Sequence, residues 1–146
     1  ISHMNVLTLA KFQQLDSVLI LEDDAKFVDD LQERWDEIEP VIPDDWDILF
    51  LGCWSNPNSP NHTTHISGSL YQVHYALLTH AYAVRRKAYD KVLTALAGGY
   101  EAVDQIVGTM KDLKAYSIHP VLAYQVEHFS ETDYHDQAEI GNNTML

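Results

Sequence analysis

The chain has one cysteine, Cys53, in 146 residues, which excludes an internal disulfide and any zinc site built from several thiolates. Basic residues are also scarce. Nine lysines and arginines face 22 aspartates and glutamates, and the resulting formal charge of −13 argues against a protein that binds phosphate backbones or an anionic membrane surface. No nucleic-acid partner is expected. No apolar run approaches the roughly 18–20 residues needed to span a bilayer, so no membrane span is predicted. The opening Ile1-Ser2-His3-Met4-Asn5-Val6-Leu7 lacks both the basic and the long apolar stretch of a secretory leader. A cytoplasmic location is therefore the expectation. Six glycines and five prolines form no flexible linker, and no repeat is present, so a single domain over residues 1–146 is expected. With 46% hydrophobic and 21% charged residues, the chain has the balance of a globular domain.

The apolar pattern then sets out the elements. Val6, Leu7, Leu9, Ala10, Phe12 and Leu15 predict a helix behind Ser2, and Val18-Leu19-Ile20-Leu21 reads as a buried strand of a parallel or mixed sheet. Val28, Leu31, Trp35 and Ile38 predict an amphipathic helix over 28–39, stopped before Pro40. A second buried strand is expected at 48–51, closed by Gly52. Residues 55–68 are polar and turn-forming, and are expected to be a mobile loop or lid. Strands are predicted at 70–75, 81–84 and 115–118, with helices at 87–96, ended by Gly98-Gly99, and at 102–113. From His128 onward the tail is expected to be extended or loose. Strands alternating with helices indicate an α/β layered sheet.

Glu22-Asp23-Asp24 follows the first strand directly, at the kind of strand end where open α/β sheets bind ligands. In a strand, residues 22 and 24 project to one side, so they can offer hard oxygen donors to one Mn2+ or Mg2+, with positions left for substrate phosphates. Simple solvation of the acids competes with this, since 13 of the 22 acidic residues lie between Asp16 and Asp47, where the only basic residues are Lys26 and Arg34.

Four blocks in order, SHMNVLTLAKFQQLDSVLILEDDAKF, DDWDILFLG, THAYAVRRKAYDKVL and AVDQIVGTMKDLKAYSIHPVLAYQ, resemble glycosyltransferase family 25, which includes lipooligosaccharide galactosyltransferases and resembles collagen galactosyltransferases. The resemblance spans nearly the whole chain. It implies an A-type nucleotide-sugar transferase fold, a mixed sheet flanked by helices, in which the Glu-Asp-Asp block is the acidic metal motif for a UDP-sugar donor. Family members carry a strand-helix-strand portion ahead of their Ser-His block that helps to bind the nucleotide. Because Ser2-His3 opens this chain, the resemblance implies an N-terminally truncated form that holds UDP-hexose poorly by itself. The acidic and histidine-rich character departs from the family pattern. Ser2-His3-Met4 also reads as a cloning remnant.

The resemblance assigns roles residue by residue. Glu22 and Asp24 match the metal motif, and His128 is a candidate third ligand against the plainer reading of a surface histidine. Asp104, in Ala-Val-Asp-Gln-Ile-Val, matches the block near the acceptor and is the candidate base, with a helix-terminal acid as its competitor. His80 either lines the acceptor cleft or is a hydrogen-bonded core histidine. Trp54 either stacks on a sugar ring or packs. Arg85-Arg86-Lys87 either faces a diphosphate or is solvated, and Cys53 reads as a bystander. The expected function is metal-dependent, inverting transfer of a hexose such as galactose from a UDP-sugar to a saccharide acceptor. A homodimer is one way to complete the donor site. A non-catalytic saccharide- or metal-binding module is the alternative, and a metal-dependent phosphohydrolase a weaker third.

Overall fold

The computed structural model describes residues 2–99 and 102–126. In chain order the elements are α1 (Ser2–Phe12), β1 (Ser17–Leu21), β2 (Ala25–Phe27), α2 (Leu31–Ile38), β3 (Ile48–Trp54), β4 (Thr63–Ser67), β5 (Leu70–Val73), β6 (Leu77–Arg85), α3 (Tyr89–Gly98), α4 (Val103–Val107), β7 (Ala115–Ile118) and β8 (Ala123–Gln125), with short 3-10 turns at 39–41 and 86–88. Six strands form a mixed sheet in the order β1-β6-β3-β7-β5-β4, and β2 pairs with β8 in a separate ribbon. Among the described residues only β3 and β7 run parallel; every other pair is antiparallel. The chain is thus a mixed α/β fold with helices on both faces of its sheet.

Strand alternation divides the core in two. Ile48 and Phe50 of β3 and Tyr82 and Val84 of β6 pack with Leu7 and Ala10 of α1 and Val92 of α3. Their neighbours Leu49, Leu51 and Ala81 face the other way and pack with Ile38, Leu122 and the flank of α2. β3 is buried over its first six residues because it is central, with β6 on one side and β7 on the other. Arg34 ties α2 to the chain before β8 by donating to the carbonyls of Pro120 and Val121. Among the described residues no helix is long and apolar enough to cross a membrane.

Several elements differ from the sequence expectation. β1 is a marginal strand: Ile20 is buried, but Leu19 and Leu21 are 44% and 46% exposed. Its apolar run reads as buried on both faces, whereas among the described residues only the α1 side is covered. Bonds from Arg86 N–H to the Asp16 carbonyl and from Glu22 N–H to the His80 carbonyl turn the even-numbered residues toward β6, so Ser17, Leu19 and Leu21 direct their backbone groups outward. Beside them lies an apolar cleft of about 340 Å³ lined by Leu19, Phe27, Leu31, Trp35 and Leu49.

The expected loop at 55–68 is strand over its second half. Thr63, Thr64 and Ile66 are β-branched, and Gly68 at φ +54° makes the turn into β5. Its first half is tied by its own polar groups: Asn58 N–H donates to Asn56 Oδ1 at 2.9 Å, and Thr63 Oγ1 to the Asn56 carbonyl at 3.1 Å. The helix expected over 102–113 stops at Val107. Gly108 there meets the residue just before β6 so closely that a Cβ would lie 1.8 Å from the Ala76 carbonyl oxygen, and its own carbonyl accepts from Ala76 N–H at 2.8 Å. The two short strands β2 and β8 have no clear signal in the apolar pattern. The tail from His128 lies outside the described residues.

Candidate functional site

β1 and β3 both run antiparallel to β6, so their C-terminal ends meet the start of β6. At this end lie Glu22, Trp54, His80 and Asp104. The expected same-side projection of residues 22 and 24 does not hold as derived, because the strand stops at Leu21. Ala25 N–H donates to the Glu22 carbonyl at 3.0 Å, making Asp23 and Asp24 the corners of a turn rather than strand residues. Glu22 keeps one more rung of the ladder through its N–H on the His80 carbonyl at 3.0 Å, and its side chain is 38% exposed. Asp24 turns inward and is 8% exposed, with its Oδ1 buried and without a hydrogen-bond partner. Its carbonyl accepts from Val126 N–H at 2.9 Å, which anchors the turn to the β8 side.

An unpartnered buried carboxylate oxygen is costly, and a bound cation is one way to satisfy it. Glu22 and Asp24 carry the hard oxygen donors that suit Mn2+ or Mg2+, the first partly exposed and the second buried. Among the described residues no cluster of three or more histidine, cysteine, aspartate or glutamate side chains is close enough to hold a metal. His128, the third expected ligand, lies outside the described residues.

His80 is 5% exposed and has a carbonyl oxygen 2.7 Å from each ring nitrogen: Leu78 at Nδ1 and Ala123 at Nε2. This is the hydrogen-bonded core position rather than an open cleft wall. A neutral ring has one N–H to donate, so only a ring carrying both protons donates to both carbonyls. The position depends on a bulge. Between the pairs Trp54↔Leu77 and Gly52↔Ala81, β6 holds three residues against one in β3, and Leu78 takes φ +50°. Asp104 braces that bulge, its Oδ2 accepting from Leu78 N–H at 3.1 Å. Asp104 therefore sits in the first turn of α4 and also holds β6 at the candidate site.

Trp54 is half-buried, its ring edge-on to His62 at 5.4 Å, and His62 in turn lies 4.9 Å from Tyr75. Arg85, Arg86 and Lys87 lie at the far end of β6 from the acidic turn. Arg86 pairs with Asp16 at 2.8 Å, Lys87 with Asp47 at 2.9 Å, and Arg85 lies over Trp46 at 4.6 Å, so acids and an aromatic ring already engage the cluster. Burial pushes the Cys53 thiol up to about 12, which suits an inert core residue.

Sequence reasoning gave no role to His3 or Tyr82. His3 Nδ1 lies 2.7 Å from the Tyr82 hydroxyl, and its Nε2 lies 3.4 Å from Glu22 Oε2. Burial first, and then the Glu22 carboxylate, raises the Tyr82 phenol, which stays protonated. The partners are 79 and 19 residues apart in the chain, a separation that no local pattern reveals. No protein-family model matches the chain, and no curated protein matches it in sequence.

Proposed function

We propose that this chain serves in the metal-dependent transfer of a hexose, such as galactose, from a UDP-sugar to a saccharide hydroxyl, with inversion. The observation that carries the metal dependence is the buried, unpartnered Oδ1 of Asp24, two residues after Glu22 in the turn at the sheet end where Asp104 also lies. The choice of sugar transfer over other metal chemistry rests on the resemblance of the four blocks to glycosyltransferase family 25. Glu22 and Asp24 would hold Mn2+ or Mg2+, which supplies charge neutralisation for a diphosphate leaving group.

The remaining work falls to the chain itself. Asp104 Oδ2 is occupied by Leu78 N–H, which leaves Oδ1 to take the proton from an acceptor hydroxyl as that oxygen bonds to the anomeric carbon and the bond to UDP breaks. The half-buried Trp54 is suited to pack against an apolar sugar face. A cytoplasmic compartment suits this reading, and a homodimer is one route to a complete donor site.

The test pairs calorimetric titration of Mn2+ into wild type and Asp24→Asn with a UDP-release assay over a panel of UDP-sugars and saccharide acceptors. Wild type is expected to bind Mn2+ weakly without nucleotide, and Asp24→Asn not at all. Equal affinity in the two proteins would overturn the metal assignment. Release of phosphate from simple phosphoesters, with no sugar transferred, would reassign the chemistry to hydrolysis.

A further inference from the structure

We propose that His3, backed by Tyr82, is a positioning residue that sets the orientation of the Glu22 carboxylate for a hard divalent cation; this rests on the metal reading above. Tyr82 is fully buried and central in β6, and its protonated hydroxyl lies 2.7 Å from His3 Nδ1. With Nδ1 accepting that proton, a neutral ring carries its own on Nε2, which faces Glu22 Oε2 at 3.4 Å. The ring cannot easily swing away. It is stacked on Tyr82 with an interplanar angle of 11° and is 8% exposed, on a helix fixed by the fully buried Leu7.

Glu22 is thereby held twice, by its N–H on the His80 carbonyl and by its side chain on His3. Tyr82 engages one ring nitrogen, and the ring extends the other to the half-exposed acid at the end of β1. Such partners fix the rotamer of a ligating side chain before the ion arrives, and their loss typically weakens metal affinity by roughly 10–100-fold.

The experiment uses the full 146-residue chain with His3→Ala, His3→Gln and Tyr82→Phe, each checked for folding by circular dichroism, and reads Mn2+ affinity by calorimetry or electron paramagnetic resonance. His3→Ala is expected to bind at least about tenfold more weakly. His3→Gln, which retains a donor for Glu22, should stay within about threefold of wild type, and Tyr82→Phe should fall between. A folded His3→Ala with unchanged affinity overturns the proposal. If His3→Ala does not fold, unchanged affinity in Tyr82→Phe overturns it.

Nitrogen-15 NMR of the metal-free protein supplies a readout independent of the ion. A His3 ring protonated on Nε2 alone supports the relay, and one protonated on Nδ1 overturns it. A wild type that binds no Mn2+ but shows the Nε2 proton would sink the metal site of the proposed function and leave the orientation of Glu22 standing.

Discussion

His80 occupies the space that a side chain on Gly52 would need. A Cβ at position 52 would lie 2.3 Å from His80 Nε2 and 2.6 Å from the Ala123 carbonyl oxygen to which that nitrogen is bonded. The glycine is thus what lets the main sheet and the β2–β8 ribbon meet beside the acidic turn. Gly52→Ala is expected to cost about 3 kcal/mol or more, since neither the ring nor the backbone carbonyl can move without breaking that junction. Urea unfolding measures it, and a loss below about 1 kcal/mol would show that the junction is pliable.

Asp24→Asn should separate stability from ligand response. Exchanging a buried, unpartnered carboxylate oxygen for a neutral amide is expected to stabilise the metal-free protein by about 0.5–1.5 kcal/mol. The same change should remove any rise in Tm on adding Mn2+. A destabilised variant would mean that Asp24 has a structural partner in solution.

Asp104 should show the opposite separation. In Asp104→Asn the amide oxygen still accepts from Leu78 N–H, so stability is expected to stay within about 0.5 kcal/mol of wild type. Hexosyl transfer should nevertheless fall by roughly 10²-fold or more, because the amide cannot take a proton. Asp104→Ala is expected to lose about 1–2 kcal/mol as well, leaving the Leu78 bulge unbraced. Retained transfer in Asp104→Asn would assign this residue to the bulge alone.

Burial pushes His119 down from 6.5 to about 4, and its Nδ1 has no hydrogen-bond partner. An unfolded chain takes up this proton near pH 6.5 and the folded one only near pH 4. Stability is therefore fully present above the unfolded value and is lost as the pH falls through the interval. Between pH 7 and pH 5 the expected loss is about 2 kcal/mol, before most carboxylates protonate. His119→Gln does not titrate, keeps a donor for the fully buried Ser117, and should flatten the slope of stability against pH. An unchanged slope would assign the acid sensitivity to another group.

The core was readable because β3 and β6 are apolar on both faces and lie in the middle of the sheet, where periodicity and burial agree. β1 has the same apolar run but sits at the margin, and composition cannot distinguish the two positions. The hairpin of β4 and β5 was hidden because Thr63, Thr64 and Ser67 are polar by composition, although the β-branched threonines favour a strand. At the candidate site, Glu22, Trp54, His80 and Asp104 all fall at one end of the sheet. Their precise roles were not readable. The bulge at Leu78 and the contacts of His3 with Tyr82 and Glu22 arise from pairings between distant parts of the chain.

The open margin of β1 also bears on how the molecule behaves in solution. Among the described residues no strand covers the outward backbone of Ser17, Leu19 and Leu21, and a free edge with leucine side chains invites a second copy to pair with it. Antiparallel pairing of two such edges about Leu19 would set Asp16 of one copy near Glu22 of the other, within an overall charge of −13 on each. Mutual repulsion guards the edge that no described strand covers. That guard weakens as the screening length contracts from roughly 10 Å at 0.1 M salt to 3 Å at 1 M, so this protein should stay dispersed in dilute buffer and self-associate in brine.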